Sequence, residues 1–199
     1  MAYGTVNIGD FSRDLWPARD PAGLIATLIC KDAVAMIVNK KYNIVSNLTS
    51  AQIAGIYKGT YTNWSQVGGA NQPIVVYTRE VGSGTRNFIV DNFLGGVDTI
   101  KSTATVYNST ERIRWAVTAN PYAIGYISLG SVDSTVKATA LNGVPATVAN
   151  AKAGTYTAVR NFNMVTKGTP TGTAKLFIDW VLSPAGQAIV AYDNELPLQ

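Results

Sequence analysis

Apolar and polar positions along the chain alternate between short runs of strand length and stripes of helical period. Asp32-Ala33-Val34-Ala35-Met36-Ile37-Val38 reads as a buried strand. Thr49-Ser50-Ala51-Gln52 has the form of a capping box; behind it Ile53, Ile56 and Tyr57 fall on one helical face, and Gly59 is placed to end the helix. Pro73 to Tyr77 is a β-branched run that predicts a strand, followed by a loop over 78–84 and a helix over 85–94 closed by Gly95-Gly96. Ser109 or Thr110 caps a helix through Ile113, Trp115 and Val117, which Asn120-Pro121 stops because the residue before proline avoids helical angles. Ala123 to Ile127 is the next strand. Leu176, Phe177, Trp180 and Val181 form a helical stripe, and Ser183-Pro184 opens a last helix with serine at the cap and proline at the first turn. Strands and helices in alternation predict an α/β fold. Trp64, Trp115 and Trp180 are expected in the core.

Composition narrows the function classes. The 199 residues are 47% hydrophobic, enough for a core in one domain or two small lobes. Only 14% are charged, with a net charge of +4 and no basic run or stripe, which argues against nucleic acid as a partner. No apolar run approaches the roughly 20 residues needed to span a bilayer. The opening Met1 to Val6 has neither the basic start nor the apolar stretch of an export signal, so the protein is either cytosolic or exported by a segment upstream of Met1. Cys30 is the single cysteine and histidine is absent. Internal disulfides, thiolate-rich metal sites and Ser-His-Asp or Cys-His devices are thereby excluded, and no cofactor or metal is expected. Glu111, Asp133 and Asp91 are isolated carboxylates, so no acid-base pair points to an enzyme. No repeat, low-complexity tract or polar linker divides the chain.

One loop carries candidate chemistry. A tetrahedral oxyanion needs several donors converging in a small space, and backbone N–H groups opening a helix supply them with a favourable dipole. Gly82-Ser83-Gly84-Thr85 stands between a predicted strand and a predicted helix. Its glycines allow close backbone approach, Ser83 and Thr85 add hydroxyls, and Arg79 offers a planar fork for two oxygens of one anion. Taken alone, Gly-x-Gly-Thr is weak evidence and more often marks an ordinary tight turn with a capping threonine. It is not a nucleotide P-loop, since Thr85-Arg86 stands where the lysine would follow the second glycine.

Five stretches in order resemble one family. Leu48 to Gly59, Thr62-Asn63-Trp64 and Arg79-Glu80-Val81-Gly82-Ser83-Gly84-Thr85-Arg86 are similar to the middle of the phosphate-binding proteins of ABC importers, Asn120 to Tyr126 to its return segment, and Phe177 to Gln187 to its closing helices. The resemblance implies a two-lobed, extracytoplasmic, periplasmic-binding-protein-like α/β fold of mixed sheets, with 1–37 and 126–199 in one lobe, 38–125 in the other, and two strands as hinge. It implies phosphate captured at Arg79, Ser83, Gly84 and Thr85 and delivered to a membrane permease.

Two departures matter. Family members begin with a further strand-loop-helix that supplies two more phosphate-binding loops, and nothing before Gly4 corresponds to it. The expectation is an incomplete first lobe whose apolar faces, Ile8, Ile25 and Leu28 among them, favour self-association. Gly4 to Arg13 resembles a family segment in which an Asp stands where Asn7 is found, and the resemblance implies that this Asp accepts the proton of hydrogen phosphate and repels sulfate; Asp10 is the alternative acceptor. Rival readings are a receptor for sulfate, molybdate or tungstate, and an interaction module without tight ligand binding.

Overall fold

The computed structural model describes residues 6–18, 20–193 and 195–198. Gly4 and Thr5, which open the resembling segment that contains Asn7, lie outside the described residues. In chain order the elements are β1 (Gly9–Phe11), β2 (Leu24–Asn39), β3 (Asn47–Leu48), α1 (Ser50–Lys58), β4 (Val75–Arg79), α2 (Gly84–Phe93), β5 (Thr105–Tyr107), α3 (Thr110–Ala119) and β6 (Ala123–Ser128). There follow β7 (Val136–Ala138), β8 (Ala140–Leu141), α4 (Val148–Lys152), β9 (Val159–Lys167), α5 (Gly172–Leu182) and α6 (Pro184–Tyr192).

The chain divides into two units: an outer one of Met1–Asp32 with Val159–Gln199, and an inner one of Ala33–Ala158. Residues 126–158, which the family resemblance groups with the termini, thus fall in the inner unit. The reason is pairing: β7 lies antiparallel to the end of β2, Val38 opposite Lys137, and β8 lies parallel to β3, Leu48 opposite Leu141.

In the inner unit β6 pairs antiparallel with β2 and parallel with β4, and β4 pairs parallel with β5. Every residue of β2 from Ala33 to Asn39 is buried, as a near-continuous apolar run requires. Ile37, Tyr77, Ile113, Val117, Ala123, Ile127 and Val136 form a core cluster. Gly125 lies beneath α3, where a Cβ would stand 2.5 Å from Ile113 Cγ2, so glycine is what lets the helix approach the strand. The Thr49 capping box forms in full, and Gly59 closes α1 in the left-handed conformation.

In the outer unit β1 pairs antiparallel with β9, which lies between β1 and β2. Asp32 is fully buried and accepts from Arg160 Nε at 2.8 Å and NH2 at 2.6 Å. Of the three tryptophans expected inside, only Trp64 is; Trp115 is 64% and Trp180 49% exposed. The cause is helical phase: α3 buries Ile113 and Val117, which turns Trp115 outward, and α5 buries Ile178 alone. Phe177 and Trp180 stack on each other at 6.2 Å while Leu176 is exposed beside them. Of the apolar residues expected uncovered in this unit, Ile25 is exposed, while Ile8 and Leu28 are half-buried. Among the described residues no helix is long and apolar enough to cross a membrane.

Candidate functional site

Arg79 is the last residue of β4 and lies in register with Tyr107, the last of β5. Both strands run the same way, so the loops that follow leave from one edge, the carboxyl ends of parallel strands where open α/β sheets place their ligands. The loop after β4 enters α2, and the loop after β5 enters α3.

Ser83 is the N-cap of α2: its hydroxyl accepts from the Arg86 N–H and its own N–H donates to the Glu80 carbonyl at 3.2 Å. Gly82 turns the chain with a φ of 93°, a left-handed conformation that glycine adopts without strain. The Gly84 N–H, at the positive end of the α2 dipole, has no hydrogen-bond partner among the described residues. Thr85 is buried in the first turn. Arg79, Ser83, Gly84 and Thr85 are therefore assembled on one strand-loop-helix of the inner unit, as the sequence predicts. Asn7 belongs to the outer unit, is exposed, and lines a cavity of about 310 Å³ with Thr166, Lys167, Thr169 and Thr171. Asp10 is exposed on β1.

Three neighbours of Arg79 escape the sequence reading. Glu80 accepts from Arg79 Nε at 2.8 Å and NH2 at 2.9 Å, and that pairing holds its carboxyl below the usual carboxylate range. Thr110, the first residue of α3, accepts from Arg79 NH1 at 3.3 Å, which brings a second helix N-terminus to the guanidinium. Arg86 is buried and spans Asp98, Thr78 and the Arg79 carbonyl. Only Arg86 left a trace in sequence: a cation in the first turn of a helix opposes the dipole and calls for an anionic partner. Among the described residues no cluster of His, Cys, Asp or Glu is arranged to hold a metal.

A cationic fork at the junction of two helix N-termini is equipped to hold an anion. Comparison with known proteins agrees in kind. The PBP superfamily domain matches residues 11–185. Phosphate-binding protein PstS 2 of Streptococcus agalactiae is 37% identical over 168 residues, covering 80% of this chain and 57% of that protein. The Bacillus subtilis phosphate-binding protein PstS is 28% identical over 200 residues, covering 98% of this chain and 65% of its own length. The chain thus spans rather more than half the length of these curated relatives. Among solved structures, a putative phosphate ABC transporter substrate-binding protein with bound phosphate from Clostridium perfringens aligns with a TM-score of 0.90 and 38% identity, over 98% of this chain and 81% of that one. An ABC-type phosphate transport receptor from Vibrio cholerae aligns at 0.86 and 34%, over 97% and 80%. The chain belongs to the PBP superfamily, and within it is similar to PstS phosphate-binding proteins.

Proposed function

We propose that the protein captures inorganic phosphate outside the cytoplasm and hands it to an ABC transporter, acting as a binding protein and not as an enzyme. The observation that carries this reading is the Arg79 guanidinium at the shared edge of β4 and β5, with the N-termini of α2 and α3 beside it. Phosphate would take charge-assisted hydrogen bonds from Arg79, the Ser83 and Thr85 hydroxyls and the Gly84 N–H. The relatives named for phosphate binding support the same ligand. Calorimetry with inorganic phosphate tests it, using the parent and Arg79→Ala. Loss of a largely buried charged contact is expected to cost about 2–5 kcal/mol. Equal affinity in the two proteins would remove Arg79 from the site, and no phosphate binding by the parent would remove the function. Sulfate and molybdate in competition separate phosphate from the other oxyanions.

Self-association is a second reading, favoured by exposed apolar residues on two adjacent helices of the outer unit: Leu176, Phe177 and Trp180 on α5, Ile189 and Tyr192 on α6. Sedimentation of the parent against Phe177→Lys tests it. A monomer at every concentration would dismiss it.

A further inference from the structure

The end of β4 is held in an unusual way. Backbone pairing between β4 and β6 is made at Val75 with Ala123 and at Val76 with Ile124. Three residues further on, the Arg79 N–H donates not to a strand carbonyl but to the Tyr126 hydroxyl, at 3.0 Å. The same hydroxyl shares a 2.7 Å hydrogen bond with the hydroxyl of Thr78. At the carbonyl of the same residue, Arg86 NH1 donates to the Arg79 oxygen at 2.6 Å and also to Thr78 Oγ1 at 3.4 Å. Arg86 is fixed in turn by Asp98 Oδ2, which accepts from Nε at 3.0 Å and from NH2 at 2.9 Å.

Both backbone polar groups of Arg79 are thus gripped by side chains. Tyr126 is fully buried and Thr78 is 1% exposed, so neither hydroxyl has water as an alternative partner. Burial pushes the Tyr126 phenol above its ordinary value, which keeps the neutral hydroxyl in place across physiological pH. An ordinary sheet would hold this strand end by ladder bonds alone. Here Arg86 comes from the first turn of α2, so the helix that opens at Ser83 and the strand that ends at Arg79 are locked to each other by one side chain.

We infer that Tyr126 and Arg86 are positioning residues for the anion site: they set the backbone of Arg79, and through it the direction of the guanidinium, without touching the ligand. The inference rests on the reading of Arg79 as the anion's fork. Its physical content is that a fork bound to a fixed backbone loses less freedom on binding than one on a loose strand end.

Tyr126→Phe keeps the ring and removes the hydroxyl, leaving the Arg79 N–H and Thr78 without their shared partner. In the ligand-free protein the Arg79 Nε–Hε nuclear magnetic resonance signal is expected to broaden or shift, and exchange of the Arg79 amide hydrogen to quicken. Arg86→Lys is expected to do the same, because an ammonium cannot hold Asp98, Thr78 and the Arg79 carbonyl together. With inorganic phosphate, the Kd of Tyr126→Phe is expected to rise about tenfold. In an Arg79→Ala background, read by amide shift titration into the millimolar range, the Tyr126→Phe effect on Kd should vanish. An unchanged Arg79 signal in both variants overturns the inference whether or not phosphate binds. A Tyr126→Phe penalty that persists without the Arg79 side chain overturns it too, since it would then reflect the fold at large. Failure of the parent to bind phosphate bears instead on the proposed function, and the Arg79 signal still decides the positioning role.

Discussion

Arg79 donates from Nε and from NH2 to the two carboxylate oxygens of Glu80, its immediate neighbour in sequence, at 2.8 and 2.9 Å. An anion taken by this guanidinium meets the Glu80 charge as well. Glu80→Gln removes that repulsion while leaving an amide oxygen to accept one of the two bonds. Phosphate is expected to bind the variant about two- to fivefold more tightly at low ionic strength, a range set by the small worth of half-exposed charge pairs. The gain should shrink as salt is added. Calorimetry at two salt concentrations measures both. Weaker binding by Glu80→Gln would mean that Glu80 serves mainly to orient Arg79.

The buried pair of the outer unit makes a different prediction. Asp32 is fully buried and its partner Arg160 is 7% exposed, so removing either leaves a charge in a poorly solvated place. Arg160→Met is expected to cost about 3–5 kcal/mol, whereas the double change Asp32→Leu with Arg160→Met should recover most of the loss. Denaturant unfolding of the single and double variants measures the difference. Additive losses would show that the pair is worth no more than its separate contacts.

Gly125 tests the helix-to-strand approach in the inner unit. A methyl added there meets Ile113 Cγ2 at 2.5 Å and Val117 Cγ2 at 3.2 Å. Overpacking of this kind costs about 1–3 kcal/mol. Gly125→Ala should lower the unfolding midpoint, and Ile113→Ala in the same chain should make the glycine substitution cheaper. A Gly125→Ala protein as stable as the parent would mean that α3 shifts without cost.

Asp20 carries the clearest acid-side signature. Hydrogen bonds from the Arg13 guanidinium, with Oδ1 and Oδ2 each at 2.7 Å, are the chief cause that lowers its pKa to about 2. A carboxylate whose folded value lies below its unfolded value contributes stability that is whole above the ordinary range near 4. That contribution is lost as pH falls from there toward about 2. Titration of the Asp20 carboxyl carbon by nuclear magnetic resonance should give the low midpoint, and Arg13→Ala should return it toward the ordinary value. An ordinary midpoint in the parent would dissolve the pair.

The local signals in the sequence were the legible ones, because they act over a few residues. The Thr49–Gln52 capping box and the Ser183 cap appear where composition places them, and Ser109 takes the cap that the sequence offers to Ser109 or Thr110. The strands expected over 73–77 and 123–127 form over 75–79 and 123–128, while α2 opens one residue early, at Gly84, with Ser83 and not a threonine as its cap. The partners of Arg79 were not legible, since Thr110 is 31 residues away and Tyr126 is 47, and only the pairing of β4 with β5 and β6 brings them together. The outward turn of Trp115 and Trp180 was misread for a related reason: a stripe of large apolar residues has a period, but which side of it meets the sheet depends on tertiary phase. The inner unit's reach to Ala158 likewise depends on strand pairings that leave no mark in composition.

Selectivity among oxyanions is the last test, and it turns on Asn7. An asparagine offers a carbonyl to accept a proton from hydrogen phosphate and an amide to donate to an unprotonated oxygen, so it does not penalise an anion that brings no proton. An aspartate at the same position would accept from hydrogen phosphate and repel sulfate. Asn7 is exposed beside Thr166 and Lys167, so the added charge has a nearby cation and the substitution should leave the fold intact. If Asn7 faces the ligand, as the family resemblance implies, Asn7→Asp raises the ratio of phosphate to sulfate affinity by about tenfold or more near neutral pH, mainly by weakening sulfate. Titrating both anions against the parent and the variant reads that ratio directly, and repeating the titration at pH 5, where phosphate carries nearly a full complement of two protons, should preserve the preference. A ratio unchanged by the substitution would place Asn7 away from the ligand and leave Arg79 and the Ser83–Thr85 loop as the whole of the proposed recognition.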